Sequence, residues 1–280
     1  MTATAKFPGF YRGAINLWVE DTMTRDYLRK VWMDHPAIVF YVGGGNEGVS
    51  AVLKEAEIAG LNHVFAFIDR DFNVSNRPNW NNPAATSRRF VSSHHEIENH
   101  LLVPDALAGC ALNTGGRSAA DIKARMLQRA TELAWWLACR CVIAEAKGTT
   151  LQDFPEHPKC PPVVDHASAE TYILGLPWWA RIQAYTPSLT NANLRARLAT
   201  HHANVTAWLG TDQWTIEFPG KELFLHVSGW VYTKPPRGNA PALNQSDLAK
   251  SVGERQAAAK QVPQELTELL TVLKARAGVP

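Results

Sequence analysis

The chain has few cysteines: Cys110, Cys139, Cys141 and Cys160, with no Cys-x-x-Cys spacing. That excludes a cysteine-rich zinc module and a dense disulfide framework. Cys139 and Cys141 lie two apart in a helical stretch, face different ways, and read as free thiols in a reducing compartment. No apolar run approaches the ~18 residues of a membrane span, and no apolar segment follows a basic N-terminus. The expectation is a cytoplasmic protein with no membrane attachment. Excess charge of one sign is also missing. The formal net charge is +2, so bulk electrostatics does not announce a nucleic-acid binder. Local basic groups exist at Arg25, Arg29 and Lys30, at Arg88 and Arg89, at Lys123, Arg125 and Arg129, and at Arg195 and Arg197. Solvated helix faces explain each of them as well as phosphate contacts do. There is no internal repeat and no low-complexity tract.

Apolar residues, by contrast, make up 46% of the 280, ample for the core of one or two domains. Ten tryptophans are unusual, with Trp135-Trp136 and Trp178-Trp179 as pairs. Trp suits cores and interface anchors alike, so the pairs hint at a partner surface.

The run from His63 to Ile68 is rich in Val, Phe and Ile and ends abruptly in Asp69-Arg70-Asp71. A short continuous apolar run predicts a strand covered on both faces in a parallel sheet. Residues 14–19 and 37–42 predict two earlier strands, and 89–92 a fourth. Between them, 23–33 carries apolar residues at helical spacing behind the capping residues Asp21 and Thr22. Residues 46–59 do the same behind Gly43-Gly44-Gly45, with Gly60 as a terminator. Alternating strands and helices with short turns predict parallel crossovers. The fold class expected is α/β, a parallel sheet flanked by helices, followed by a mainly helical C-terminal region.

Residues 73–87, 148–162 and 234–242 are rich in Pro, Gly, Asn or Ser and read as loops. Residues 118–147 carry no proline and predict one helix of about 45 Å. Further helices are expected over 191–209, 245–259 and 263–275, with a short one from Pro219-Gly220 onward. The expected division is a catalytic core over 1–105 and a helical region over 106–280.

Glu20 closes the first strand, Asp69 and Asp71 the third, and Glu98 follows the fourth. In a parallel sheet those ends share one edge, where ligands of open α/β folds bind. Like charges a few Å apart raise one another's pKa, and a hard divalent cation, Mg²⁺ or Mn²⁺, removes the repulsion. Two such ions about 3.5–4 Å apart could clamp both oxygens of a phosphodiester displacement. Glu96 competes with Glu98, since the two share a face in an extended segment and not in a helix. Histidines His94, His95 and His100 read as solvated loop residues, and Asn99 as a cap. Gly43 to Gly45 lack a following Walker lysine, which argues against nucleotide hydrolysis there.

Val19-Glu20, Gly43-Gly44-Gly45, Ile68-Asp69-Arg70-Asp71 and Ile97-Glu98-Asn99-His100-Leu101-Leu102 together resemble a Toprim domain. Such domains occur in topoisomerases, bacterial primases, a 5S-RNA maturase and OLD-type nucleases. More narrowly, the set looks like the stand-alone Toprim effectors encoded beside ABC-type ATPases in anti-phage, abortive-infection loci. Pro219-Gly220-Lys221 is similar to the Gly-Lys of that group. The resemblance covers roughly 14–105 and then the Gly-Lys position alone. It implies a Mg²⁺-dependent endonuclease with Glu20 and Lys221 catalytic and Glu20, Asp69, Asp71 and Glu98 on the metal. It also implies tRNA or another RNA as substrate, and an ATPase partner that restrains toxicity. A DNA endonuclease of OLD type and a non-catalytic regulator of the same shape are the rivals, and a homodimer is compatible with either. One position departs. The family carries an acid four residues after the first Glu, where this chain has Thr24. Asp21 and Asp26 flank that place, and Asp26 is retained as a lesser metal candidate with Glu96.

Overall fold

In a computed structural model of the chain, the described residues are 8–72, 88–148, 163–185, 188, 190–232 and 244–280. The expected loops at 73–87, 149–162 and 234–242 lie outside them. Two compact units are present. The first comprises Met1–Lys123 with Pro219–Pro280, the second Ala124–Phe218. The last helices therefore belong to the same unit as the sheet.

The first unit is built on a four-stranded, all-parallel sheet: β1 (Ile15–Val19), β2 (Ile38–Val42), β3 (Val64–Ile68) and β4 (Arg89–Val91), in the order β2-β1-β3-β4. Every residue of β1 and β3 is buried. Their runs are apolar apart from Asn16, whose amide donates to the Gly13 and His63 carbonyls, since central parallel strands are covered on both faces. Leu17 is in register with Phe40 on one side and with Phe65 on the other. The sheet is the α/β fold anticipated from the sequence.

α1 (Thr22–Val31) starts at Asp21, whose carboxylate accepts the Thr24 amide at 2.7 Å. α2 (Asn46–Ile58) lays Val49, Val52, Leu53 and Ala56 against Trp18, Val64, Ala66 and Ile68 of the sheet. A 3-10 turn, Ile97–Leu101, follows β4 and leads into α3 (Pro104–Gly109). After the second unit the chain returns as α10 (Gly220–Val231), α11 (Gln245–Ala258) and α12 (Gln264–Ala277). α11 packs along α1. There the buried Tyr27 hydroxyl donates to Gln256 Oε1 at 2.7 Å, and Gln256 Nε2 donates to the His100 carbonyl at 2.9 Å. The Trp32 indole donates to the Leu266 carbonyl at 3.1 Å, tying α12 to the end of α1.

The second unit is helical: α5 (Ala134–Gly148), α6 (His166–Leu174), α7 (Trp179–Tyr185), α8 (Asn191–Leu209) and α9 (Trp214–Glu217). The unit boundary falls within α4 (Ala119–Glu132). The single long helix expected over 118–147 is two helices broken at Leu133. No proline or glycine marks the break. The Leu133 amide is shared between the Arg129 and Ala130 carbonyls, 3.1 Å each, a tightened last turn. The Leu133 side chain is buried, so packing ends α4 where propensity would continue it. Trp136, Trp178 and Trp179 are core residues here, which accounts for most of the paired tryptophans by packing. Among the described residues no helix is long and apolar enough to cross a membrane.

A candidate metal centre at the carboxyl edge of the sheet

From β1 the chain crosses to β2 on one side, and from β2 it crosses back over β1 to β3. The carboxyl ends of β1 and β3 thus flank the point where strand order reverses, the usual crevice for ligands of open α/β sheets. Glu20 follows β1 and Asp69 follows β3 directly. They meet: Glu20 Oε1 accepts the Asp69 amide at 2.9 Å. Asp69 Oδ1 accepts the Ile97 amide at 2.9 Å, which draws the turn after β4 onto the same edge.

That turn gives Glu96 and Glu98 different surroundings. Glu96 is its N-cap, in a reciprocal box with Asn99, and the Glu96 amide donates to Asn99 Oδ1 at 2.9 Å. Glu96 Oε2 also accepts the Lys221 amide at 2.7 Å, so Glu96 braces the start of α10. Because the backbone turns at residue 97, Glu98 leaves on another face. It borders a cavity of about 560 Å³ with Asp21, Met23, Lys221, Phe224, Asn244 and others. Lys221 Nζ lies 3.6 Å from Asp69 Oδ2 and 3.9 Å from Glu98 Oε1. Its side chain remains about half exposed, at 51%.

Asp71 has φ 52°, in the left-handed region tolerated by Asp. Its amide donates to the His95 carbonyl at 2.8 Å. One ligand-capable atom each from Asp71, His95 and Glu96 lie within 4.8 Å of one another. Glu20 feels the Asp71 charge as well. The structure therefore brings Glu20, Asp69, Asp71, Glu98, Glu96 and Lys221 to one edge. It does not bring Asp26 there: that carboxylate pairs with Arg25 at 2.8 Å and Lys250 at 3.3 Å. Thr24, where the family acid was expected, is buried.

The electrostatics follow from burial of like charges. Burial, then the Glu98 charge, pushes the Asp69 pKa well above its ordinary value against the opposing pull of Lys221. Burial raises Glu98 to about 8, opposed by Lys221 and reinforced by Glu96 and Asp21. Glu20 is raised by burial, with its hydrogen bond from the Asp69 amide working the other way. Burial disfavours the Lys221 ammonium, yet Glu98, Asp69, Glu96 and Asp21 together raise its pKa.

Glu98 is fully buried, and among the described residues neither of its carboxylate oxygens accepts a hydrogen bond. A buried carboxylate whose ion pair is this long and which accepts no hydrogen bond is costly. A hard divalent cation could supply what the site lacks, and the donors are carboxylate oxygens, with the His95 imidazole beside Asp71 and Glu96. The residues present therefore fit Mg²⁺ or Mn²⁺.

Sequence reasoning treated Asp21 chiefly as a cap. It is one, and it also borders the cavity and acts on Glu20, Glu98 and Lys221. Its signal was available, as a second acid directly after Glu20. The histidines were misjudged as solvated: His95 is 3% and His100 2% exposed. The local basic groups are largely paired, Arg29 and Lys30 with Asp34, Arg195 with Glu170 and Arg197 with Glu145. Compared with models of known protein families and with curated proteins, the chain matches none.

Proposed function

We propose that this chain is a metal-dependent phosphodiester hydrolase acting on nucleic acid, with RNA such as tRNA as its first candidate substrate. The observation that carries the reading is the buried, hydrogen-bond-starved Glu98 carboxylate beside Asp69 at the strand-order switch point. Glu20, Asp69 and Glu98, with Asp71 at the rim, would hold Mg²⁺ or Mn²⁺. Such an ion supplies Lewis-acid activation and neutralises charge on a phosphoryl group.

The chain's own groups divide the remaining work. Lys221 presents a half-exposed ammonium over the carboxylates, placed to receive a phosphate oxygen and oppose its growing charge. Glu96 fixes the Lys221 backbone and so the reach of its side chain. The Asp69 amide holds Glu20 in one orientation. By resemblance, an ATPase encoded alongside is the proposed restraint on a nuclease that would otherwise be toxic.

The test is incubation of the purified chain with Mg²⁺ or Mn²⁺ and, in parallel, total tRNA and plasmid DNA. Cleavage of tRNA is expected, lost on chelation and in Asp69→Asn. Cleavage of plasmid alone would make it a DNA endonuclease. Absence of any cleavage by protein released from its partner, or full activity in Asp69→Asn, would overturn the catalytic reading and leave a regulator.

A further inference from the structure

A second group of ligand-capable side chains lies apart from the carboxylate edge in chemistry. His94 and His100, before and within the 3-10 turn, meet Glu265 from the first turn of α12. One ligand atom from each lies within 4.8 Å of the others. Both imidazoles converge on one oxygen: Glu265 Oε2 is 2.8 Å from His94 Nδ1 and 3.0 Å from His100 Nε2. The two rings are 4.1 Å apart, centre to centre. Two hydroxyls complete the shell. Ser93 Oγ is 3.2 Å from His94 Nδ1, and Ser92 Oγ is 3.5 Å from His100 Nε2 and 3.4 Å from Glu265 Oε2. The other oxygen, Oε1, accepts the Ser93 amide at 2.5 Å.

We propose that His94, His100 and Glu265 form a site for Zn²⁺ or a similar borderline divalent ion, distinct from the candidate carboxylate site at the sheet edge. Two imidazole nitrogens and one carboxylate are a recurring three-ligand zinc set, with a fourth position left to water. Ligand bonds of about 2.0–2.2 Å in a tetrahedron set neighbouring donors roughly 3.4 Å apart. The two N···O separations here need to open by only about half an ångström to reach that spacing. The Ser93 amide already orients the carboxylate, as an outer partner of a metal ligand does. Access is from the His94 side, whose side chain is 21% exposed, while His100 is buried behind it. An ion here would staple α12 to the turn that carries Glu98. Nitrogen donors also separate the two sites by preference, because imidazole suits zinc and carboxylate suits Mg²⁺.

The proposal does not depend on the hydrolase reading, and its test uses no activity. The full-length chain is freed of metal, held in excess Mg²⁺ to occupy the carboxylate edge, and titrated with Co²⁺ and then Zn²⁺. One equivalent of Co²⁺ should give the intense visible absorption of a four-coordinate ion, bleached by one equivalent of Zn²⁺. His94→Ala, at a partly exposed position, and Glu265→Gln, which keeps the shape, should each weaken Zn²⁺ by more than ~100-fold, beyond the loss expected for an outer-shell partner. Asp69→Asn should leave it unchanged. A weak six-coordinate Co²⁺ spectrum in the wild type overturns the proposal without recourse to any variant. So does undiminished Zn²⁺ binding in a folded His94→Ala protein, or Zn²⁺ binding that Asp69→Asn removes.

Discussion

Gly220 opens α10 with no unusual backbone angle, so its missing side chain serves a close approach. A Cβ placed there would meet the Asn99 amide nitrogen at 2.5 Å, Asn99 Oδ1 at 2.7 Å and the Glu98 carbonyl carbon at 2.9 Å. None of these can swing away, because two are backbone and Asn99 Oδ1 is held by the Glu96 amide. Ordinary contact lies near 3.5 Å, so Gly220→Ala must push α10 back by about 1 Å. Overpacking of this kind costs ~1–3 kcal/mol. Stretching the 2.7 Å bond from the Lys221 amide to Glu96 to beyond hydrogen-bond length adds ~1 kcal/mol. Alanine's better helix propensity returns at most ~1 kcal/mol, so destabilisation wins. At about 2–4 °C per kcal/mol for a unit of this size, thermal denaturation should show a fall of several degrees or more. The same retreat carries Lys221 Nζ beyond ion-pair distance of Asp69 and Glu98, now 3.6 and 3.9 Å, and should lower any metal-dependent cleavage with it. Gly229→Ala is the internal control: it lies in the same helix, exposed, with nothing within 4 Å of an added Cβ. That variant should gain ~0.5–1 kcal/mol. If both alanines shift the melting temperature the same way, the close-approach argument fails.

Other substitutions probe the remaining joints. Tyr27→Phe removes the donor to a fully buried Gln256 Oε1 and should cost ~1–3 kcal/mol in urea denaturation; an unchanged midpoint would show that the α1–α11 contact does not need this bond. Asn99→Ala breaks the reciprocal cap with Glu96 and should cost ~1 kcal/mol, read as a lower midpoint with an unchanged slope. For Glu98 the sign runs against the usual carboxylate. Its folded pKa is raised to about 8, so the fold holds the proton more tightly than the unfolded chain. The stability of metal-free protein should therefore fall as pH rises from the ordinary carboxylate value of 4.5 towards 8. Glu98→Gln in chelator should flatten that slope and be the more stable protein at pH 8, by ~1–3 kcal/mol. Melting curves across pH decide it, and a wild-type slope of opposite sign would refute the burial argument.

The sheet was legible because its central strands must be apolar on both faces. The run ending at Ile68 has that property and so, apart from Asn16, does the run ending at Val19; both are wholly buried strands, β3 and β1. Helix starts were legible where a side chain makes the cap, as Asp21 does for α1. The break at Leu133 was not, since it rests on a buried side chain and a shared amide with no local residue signal. The same division runs through the site. Glu20 and Asp69 could be placed on one edge from strand ends alone, because a parallel sheet fixes which ends are neighbours. Which of Glu96 and Glu98 faces inward depended on where a five-residue 3-10 turn begins, a choice that alternation and helical spacing leave open.

Distance along the chain explains what stayed hidden. His100 and Glu265 are remote in sequence, and nothing local to either announces the other. Only the return of α12 to the sheet unit sets Glu265 Oε2 3.0 Å from His100 Nε2. Lys221 is equally remote from Glu98, and it stood out only through the resemblance of Pro219-Gly220-Lys221 to the Toprim group's Gly-Lys; the close approach supplies a physical reason for that glycine. A helix that must touch the Asn99 backbone has to shed its side chain at the point of contact. A helix that only brings a carboxylate to two imidazoles need not. The edge acids could therefore be chosen from the sequence by the geometry of strand ends and the lysine only by resemblance, whereas the His94–His100–Glu265 group required the folded chain.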